Sequence, residues 1–197
     1  MIKKIFNAAM ANSLLNELRK KGVEIASGLS STDIEVIETR LGTTLPPELR
    51  VLLKCGVPVD HNGNSEAFPQ WHEDPIAELR DTKEFINRAF TFDIANDNYW
   101  HPLLGEKPQS IEAAQKQALS AISKWPPLVR IYGHRFMPTE PHGPDNPVFS
   151  FVQAGDSVYY GANLQDYLLR EFKISDKKIP YDKIKPVPYW SDAFGLS

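Results

Sequence analysis

Apolar positions fall into two kinds of pattern along this chain, helical spacing in its first two thirds and short strand-like runs after it. Over residues 7–21, Ala8, Ala11, Leu14, Leu15 and Leu18 recur at the spacing of an amphipathic helix, and Lys20, Lys21 and Gly22 supply its stop. A second helix opens at Ser30, placed as N-cap with Asp33 three residues on, a weaker form of the capping box, and Leu29 and Ile34 stand as a hydrophobic staple. Ile34, Ile37 and Leu41 form its inward face and Gly42 ends it. Pro46 and Pro47 suit the first turn of a third helix, where a missing N–H costs little, with Leu49, Leu52 and Leu53 as its buried stripe.

From Val57 to Pro75 the pattern is loop with one short strand, punctuated by Pro58, Gly63 and Pro69 and anchored by Phe68 and Trp71. Helical period returns over Ile76 to Phe92 through Ile76, Leu79, Phe85, Ile86 and Ala89, followed by turn residues to Pro108. Ser110 caps another helix, running through Ile111, Ala114, Ala118, Leu119 and Ile122 to the stop at Trp125-Pro126-Pro127.

The period then changes. Leu128-Val129-Arg130-Ile131-Tyr132, Pro147 to Gln153 and Val158-Tyr159-Tyr160-Gly161 are β-branched and aromatic runs bounded by Gly, Pro, Asn and Asp, which is how strands read. Ala154-Gly155-Asp156 is short enough to make the last two an antiparallel hairpin. Val148 and Phe149 cannot share one face of a pleated sheet, so their strand is expected to be apolar on both faces and central. Residues 164–172 read as a helix behind it, and 173–197 as a semi-extended tail with Tyr189, Trp190 and Phe194 as aromatic hooks. Helices, then strands, then a helix predict a single α+β domain with an antiparallel-rich central sheet packed against helices.

The order Pro-Leu-Val-x-Ile-Tyr-Gly-His-Arg at 127–135, Asn-Pro-Val-Phe-Ser at 146–150, and Tyr-Tyr-Gly-x-x-Leu-x-x-Tyr-Leu-x-x-Glu-Phe at 159–172 resembles the SUKH superfamily. A second match lies in the opening helices, from Gly28 through Leu41-Gly42 to Leu45-Pro46-Pro47-Glu48-Leu49. That superfamily includes bacterial toxin-immunity proteins and fungal cell-wall-assembly regulators. The resemblance implies a SUKH-like domain over 28–172, preceded by an N-terminal helix within 1–27 and followed by a C-terminal extension, 173–197, packed on the domain.

Composition narrows the chemistry. A chain of 197 residues with 42% hydrophobic content needs neither metal nor disulfide to build a core, since a domain of that size buries roughly 70% of its unfolded surface. Cys55 is the single cysteine, so no intramolecular bridge exists, and its apolar helical context marks it as a small core residue. The N-terminal Met1-Ile2-Lys3-Lys4 lacks the unbroken apolar run of a secretion signal, and no stretch approaches a membrane span, so a cytoplasmic location is expected.

None of the five histidines forms His-x-x-x-His. His72-Glu73-Asp74 is dense in ligand types, but adjacent residues point different ways. Ser150 has no nucleophile elbow around it. The expectation is a protein with no catalytic residue, no metal and no cofactor.

Formal net charge is −3, yet Asp60 to Glu106 holds ten acids against three bases, a balance of −7, while 1–29 and 170–188 each stand at +3. An acidic middle argues against nucleic-acid binding, whose signature is a basic stripe. It reads either as a solvated helix face or as a surface for a basic protein partner. Trp71 and Trp100 lie in this segment beside Glu73 and Asp74, as core residues or as anchors of a partner surface. His134-Arg135 has two readings as well. Either Arg135 pairs with a carboxylate while His134 caps carbonyls, or both form a polar patch at a groove lined by Tyr132, Tyr159 and Tyr160. By resemblance, the expected function is immunity: binding a cognate toxin, such as a nuclease, and blocking its active site. The alternative is a regulatory scaffold recruiting signalling proteins. A small-molecule or hydrolytic domain is a third class, but it needs a polar pocket the sequence does not display. Oligomeric state leaves no trace in the sequence.

Overall fold

Three helices open the fold where the apolar spacing puts them. The computed structural model describes residues 5–59 and 67–195; Met1 to Lys4, Asp60, His61, Gly63 and Glu66 lie outside the described residues. Helix α1 (Ala8–Lys20) is capped by Asn7, whose Oδ1 accepts the Met10 N–H at 3.1 Å. It buries Ala11, Leu14, Leu15 and Leu18, while Ala8 stays exposed. Helix α2 (Ser31–Leu41) carries a complete capping box: Ser30 Oγ accepts the Asp33 N–H at 3.1 Å and Asp33 Oδ2 accepts the Ser30 N–H at 2.8 Å. Hydrogen bonding of the carboxyl to the Ser30 side chain, and then to the Ser30 backbone N–H, holds Asp33 below its ordinary value. Leu29 and Ile34 are both buried, as a staple requires, and Gly42 (φ 77°) ends the helix in the left-handed region that favours glycine. Leu41 is only half-buried. Helix α3 (Pro47–Cys55) buries Leu49, Leu52 and Leu53, and Cys55 is half-buried at its end.

A short ribbon joins these helices. Strand β1 (Glu24–Ala26) pairs antiparallel with β2 (Val57–Val59). The second is the short strand expected after Val57; three residues with no alternation left its partner β1 without a signal.

The main sheet is an antiparallel meander of four strands, β3 (Leu128–Tyr132), β4 (Arg135–Pro138), β5 (Val148–Ser150) and β6 (Tyr159–Gly161), in that spatial order. β4 corrects the expectation that His134-Arg135 is the polar end of a strand. Gly133 (φ 51°) takes the first position of a two-residue turn, the chain reverses, and all four residues of β4 are buried. β5 lies between β4 and β6, antiparallel to both and buried throughout, the central strand expected from Val148 and Phe149. It is shorter than its apolar run because the hairpin narrows to a single bridge, Gln153 to Asp156, around Ala154-Gly155.

The sheet separates two cores. Val129, Ile131, Met137 and Val148 face α1, α2, α3 and helix α6 (Leu164–Glu171). Leu128, Phe136, Phe149, Phe151 and Tyr159 face helix α5 (Ile111–Ile122) and the C-terminal segment. The long helix α4 (Pro75–Asn96) serves both, with Leu79 in the first core and Ile86, Ala89, Phe90 and Ile94 in the second. It runs a turn beyond Phe92, which is 54% exposed, because Asp93 and Ile94 are the buried residues of that turn. Ile111, expected inside, is exposed at the first position of α5. The tail is less extended than its prolines suggest. It forms a 3₁₀ turn at Tyr181–Lys183 and helix α7 (Trp190–Ala193), and sets Val187, Trp190 and Phe194 into the second core. Trp190 Nε1 donates to Pro126 O at 2.8 Å, and its ring meets Trp125 edge-on at 5.0 Å. Among the described residues no helix is long and apolar enough to cross a membrane.

Two outcomes follow from this packing. A Cβ at Gly161, where β6 turns into α6, would sit 2.6 Å from Tyr167 Cβ and 2.7 Å from the Tyr167 backbone. Gly161→Ala is therefore expected to lower the urea midpoint by the equivalent of about 1–3 kcal/mol or more, since backbone cannot yield as a side chain can. Glu48 and Asp93 are buried, and desolvation raises both carboxyls above their ordinary values. The folded chain then holds these protons to a higher pH than the unfolded chain, so their contribution to stability is present at low pH and is lost as pH rises through the folded values. Thermal melting of Glu48→Gln should equal or exceed that of the parent at neutral pH. It should also lack part of the parent's gain as pH falls toward 4.5, the ordinary value. A parent-like slope in that variant would exclude Glu48 as its source.

Candidate protein-binding surface

Strand alternation decides what the turn at Gly133 presents. Tyr132 and Arg135 are register partners across the β3–β4 hairpin. Arg135 is 7% exposed, its guanidinium 3.8 Å above the Tyr160 ring and its Nε 3.9 Å from Glu171 Oε2. The cation is thus engaged inside the fold, with the Tyr160 face and the α6 carboxylate as its partners. Tyr132 closes an aromatic group with Phe68, 4.7 Å between centroids, and Phe172, 5.4 Å. His134 is half-buried and lines a hollow of about 240 Å³ with Phe85, Arg130, Phe136 and Val152. Its backbone oxygen accepts the Phe151 N–H at 3.0 Å.

The groove expected between Tyr132, Tyr159 and Tyr160 does not form. Adjacent strand residues point to opposite faces, so Tyr160 meets Arg135 while Tyr159 enters the second core. There its hydroxyl lies 2.9 Å from Ser191 Oγ, and burial pushes the phenol up. Trp71 is 4% exposed in the first core and offers no surface. Trp100 is half-buried, with Nε1 donating to Gly105 O at 2.9 Å. Glu73 is exposed. Asp74 caps α4, its Oδ1 accepting the Ala77 N–H at 2.8 Å. Between Asp74 and Trp100 stands α4, whose 22 residues span about 33 Å. The two groups do not share a site.

The acidic segment divides in the same way. Glu78 is buried: its Oε1 accepts from Arg130 Nε at 2.7 Å and its Oε2 from the Gln70 N–H at 3.2 Å. Asp93 is buried and accepts the Ala154 N–H, pinning the β5–β6 hairpin to the end of α4. Glu73, Asp74, Asp81, Glu84, Asp97 and Glu106 remain exposed, with Arg80, Lys83 and Arg88 exposed among them.

Among the described residues no three His, Cys, Asp or Glu side chains converge as metal ligands. Ser150 is buried, and its Oγ lies 3.4 Å from the Val158 N–H.

A cleft of about 570 Å³ lies between the end of α2, the first half of α4 and the Trp125-Pro126-Pro127 link into β3. Ile86, Ile122, Trp125 and Trp190 contribute to its floor, and Arg40, Arg80 and Lys83 stand on its walls with Glu84. At its edge Trp125 stacks on Tyr189 at 5.7 Å and 24°. Tyr189 has φ 67° and ψ −51°, with the Trp190 N–H donating to Pro188 O at 2.8 Å. This is a γ-turn of the positive-φ kind, a conformation that costs a bulky residue on the order of 1–3 kcal/mol. From the sequence, Trp125-Pro126-Pro127 reads as a helix stop and Tyr189 as an aromatic hook. Tryptophan against two prolines is also a flat apolar surface, a signal carried by the sequence itself.

A family model described as SMI1 / KNR4 family (SUKH-1) matches residues 28–170. No curated protein and no solved structure matches the chain.

With its cation engaged internally, Arg135 is expected to matter for folding first. Arg135→Met should cost about 1–3 kcal/mol in urea unfolding by leaving Glu171 and the Tyr160 face without their partner. An unchanged midpoint would return Arg135 to the surface.

Proposed function

Because the chain belongs to the SMI1 / KNR4 family (SUKH-1), we propose that it is a non-enzymatic protein-binding domain acting in the cytoplasm as an immunity protein. Its partner is a basic toxin, such as a nuclease, which it occludes by steric and electrostatic cover. The observation that carries the reading is the fate of the acidic segment. Of its described acids, Glu78 and Asp93 are consumed inside the fold, while six stay at the surface, gathered largely toward the two ends of α4. A nuclease holds phosphates on a basic surface, and such a surface is complementary to these ends. Trp100 stands beside one of them and supplies an aromatic contact.

Association kinetics with the product of the neighbouring gene, measured at two salt concentrations, test the proposal. Asp74 is unsuitable for reversal because it caps α4, so Glu73 and Glu106 carry the measurement. Glu73→Lys with Glu106→Lys should slow association and flatten its salt dependence, leaving dissociation nearly unchanged. Trp100→Ala should mainly speed dissociation, by on the order of 2 kcal/mol. An association rate indifferent to salt and to both reversals removes the electrostatic mechanism. Absence of toxin binding, with capture of a signalling protein instead, replaces immunity by the scaffold reading.

A further inference from the structure

The cleft beside α4 has a chemistry opposite to that of the helix ends. Its volume, about 570 Å³, falls within the range of formed ligand sites, roughly 300–1,000 Å³. Its floor is Trp125, Pro126 and Trp190, held rigid by the edge-on contact of the two indoles and by the bond from Trp190 Nε1 to Pro126 O. Arg40 lines it from α2 and Lys83 from α4. Among the described residues neither of these two cations has a hydrogen-bond or ion-pair partner. Arg80 is paired with Asp81 at 3.2 Å, and Glu84 is the one acid of the lining. Two unpaired cations in the lining of a cleft with an apolar floor favour a ligand that brings carboxylates and an apolar body together.

A second observation lies at the edge. Tyr189 is 44% exposed, sits in the positive-φ γ-turn, and lays its ring on Trp125. A strained, exposed aromatic beside a cleft extends the floor as a stacking platform.

We propose that this cleft docks an acidic segment of a protein partner, one that sets an aromatic side chain against Trp125 and Tyr189 and its carboxylates against Arg40 and Lys83. Extended or helical peptide both supply such a pair on one face, and the aromatic anchor with flanking charge is the usual division between dwell time and encounter. The site is distinct from the proposed toxin surface at the ends of α4: its balance of charge is of opposite sign, and Glu84 is the one surface acid the two share.

A random peptide display library panned on the whole chain tests this. Selected peptides should share an aromatic residue flanked by Asp or Glu. The best of them should bind roughly tenfold more weakly or worse to the Arg40→Glu, Lys83→Glu double variant. Tyr189→Leu should weaken the same peptide with its salt dependence intact, since only the stacking is removed. Both cations are exposed and unpaired, so the melting temperature of the double variant should match the parent and exclude misfolding as the cause. Selection of peptides without acids, no selection at all, or binding that survives the double reversal would each overturn the proposal. Glu73→Lys, Glu106→Lys should leave peptide binding unchanged, which separates failure here from failure of the toxin reading.

Discussion

Strand β5 has no face to give to water. Val148 enters one core and Phe149 the other, and neighbours on both sides complete its backbone pairing. A sheet with such a centre must be covered twice, and most of the architecture follows from that requirement. The first face is covered by α1, α2, α3 and α6. Helix α5 and part of α4 do not suffice for the second, so Val187, Trp190 and Phe194 return from the C-terminus to complete it. The aromatic contacts Phe149–Phe194 at 5.4 Å and Phe151–Phe194 at 5.1 Å are the junction between strand and tail.

Double coverage also decides the fate of the charged groups. Loops crossing a buried sheet carry backbone N–H groups that need acceptors, and carboxylates supply them. Glu48 accepts from the Asp145 N–H at 2.6 Å, Asp93 from Ala154, and Glu78 from Gln70 and Arg130. Each ties a loop to a helix at the cost of desolvating a charge, and the upward displacement of Glu48 and Asp93 is that cost expressed as proton affinity. Arg135 follows the same logic with opposite sign, held by a ring face and Glu171. A sequence count of acids therefore overstates the surface field, because burial selects which of them remain outside.

Helices with caps and periodic stripes were legible in the sequence. Ser30 with Asp33, the staple of Leu29 on Ile34, and the stripe of Leu49, Leu52 and Leu53 depend on residues a few positions apart, and local physics fixes them. The central position of β5 was legible for the same reason, since pleat geometry involves two adjacent residues. β1 and β4 were not. β1 is three residues without alternation that become a strand only because β2 lies alongside, and β4 required knowing that Gly133 reverses the chain. The candidate site was legible least. Trp71, Glu73, Asp74 and Trp100 are close in sequence, and α4 then carries their two halves apart. Tyr159 and Tyr160 are adjacent in sequence and face opposite cores. The cleft is not legible in the sequence because Arg40 and Lys83 in its lining, and Tyr189 stacked on Trp125 at its edge, are distant along the chain and come together only on folding.

Surfaces of opposite sign on one small domain do not cancel. At physiological ionic strength a charge is felt over about 8 Å, whereas α4, at 22 residues, spans about 33 Å. Lys83 stands about 13 Å along the helix from Asp74 and about 21 Å from Asp97, so the acids at the ends and this cation act on an approaching chain largely as separate fields. Formal net charge of −3 then describes neither. What a partner meets is set by which face it approaches, and orientation follows from the same separation. A basic surface is drawn to the helix ends and repelled by Arg40 and Lys83, and an acidic segment experiences the reverse. Discrimination of this kind requires no change of shape. It needs only that the sheet hold α2, α4 and the C-terminal aromatics in fixed relation, which the two-sided burial of β5 enforces.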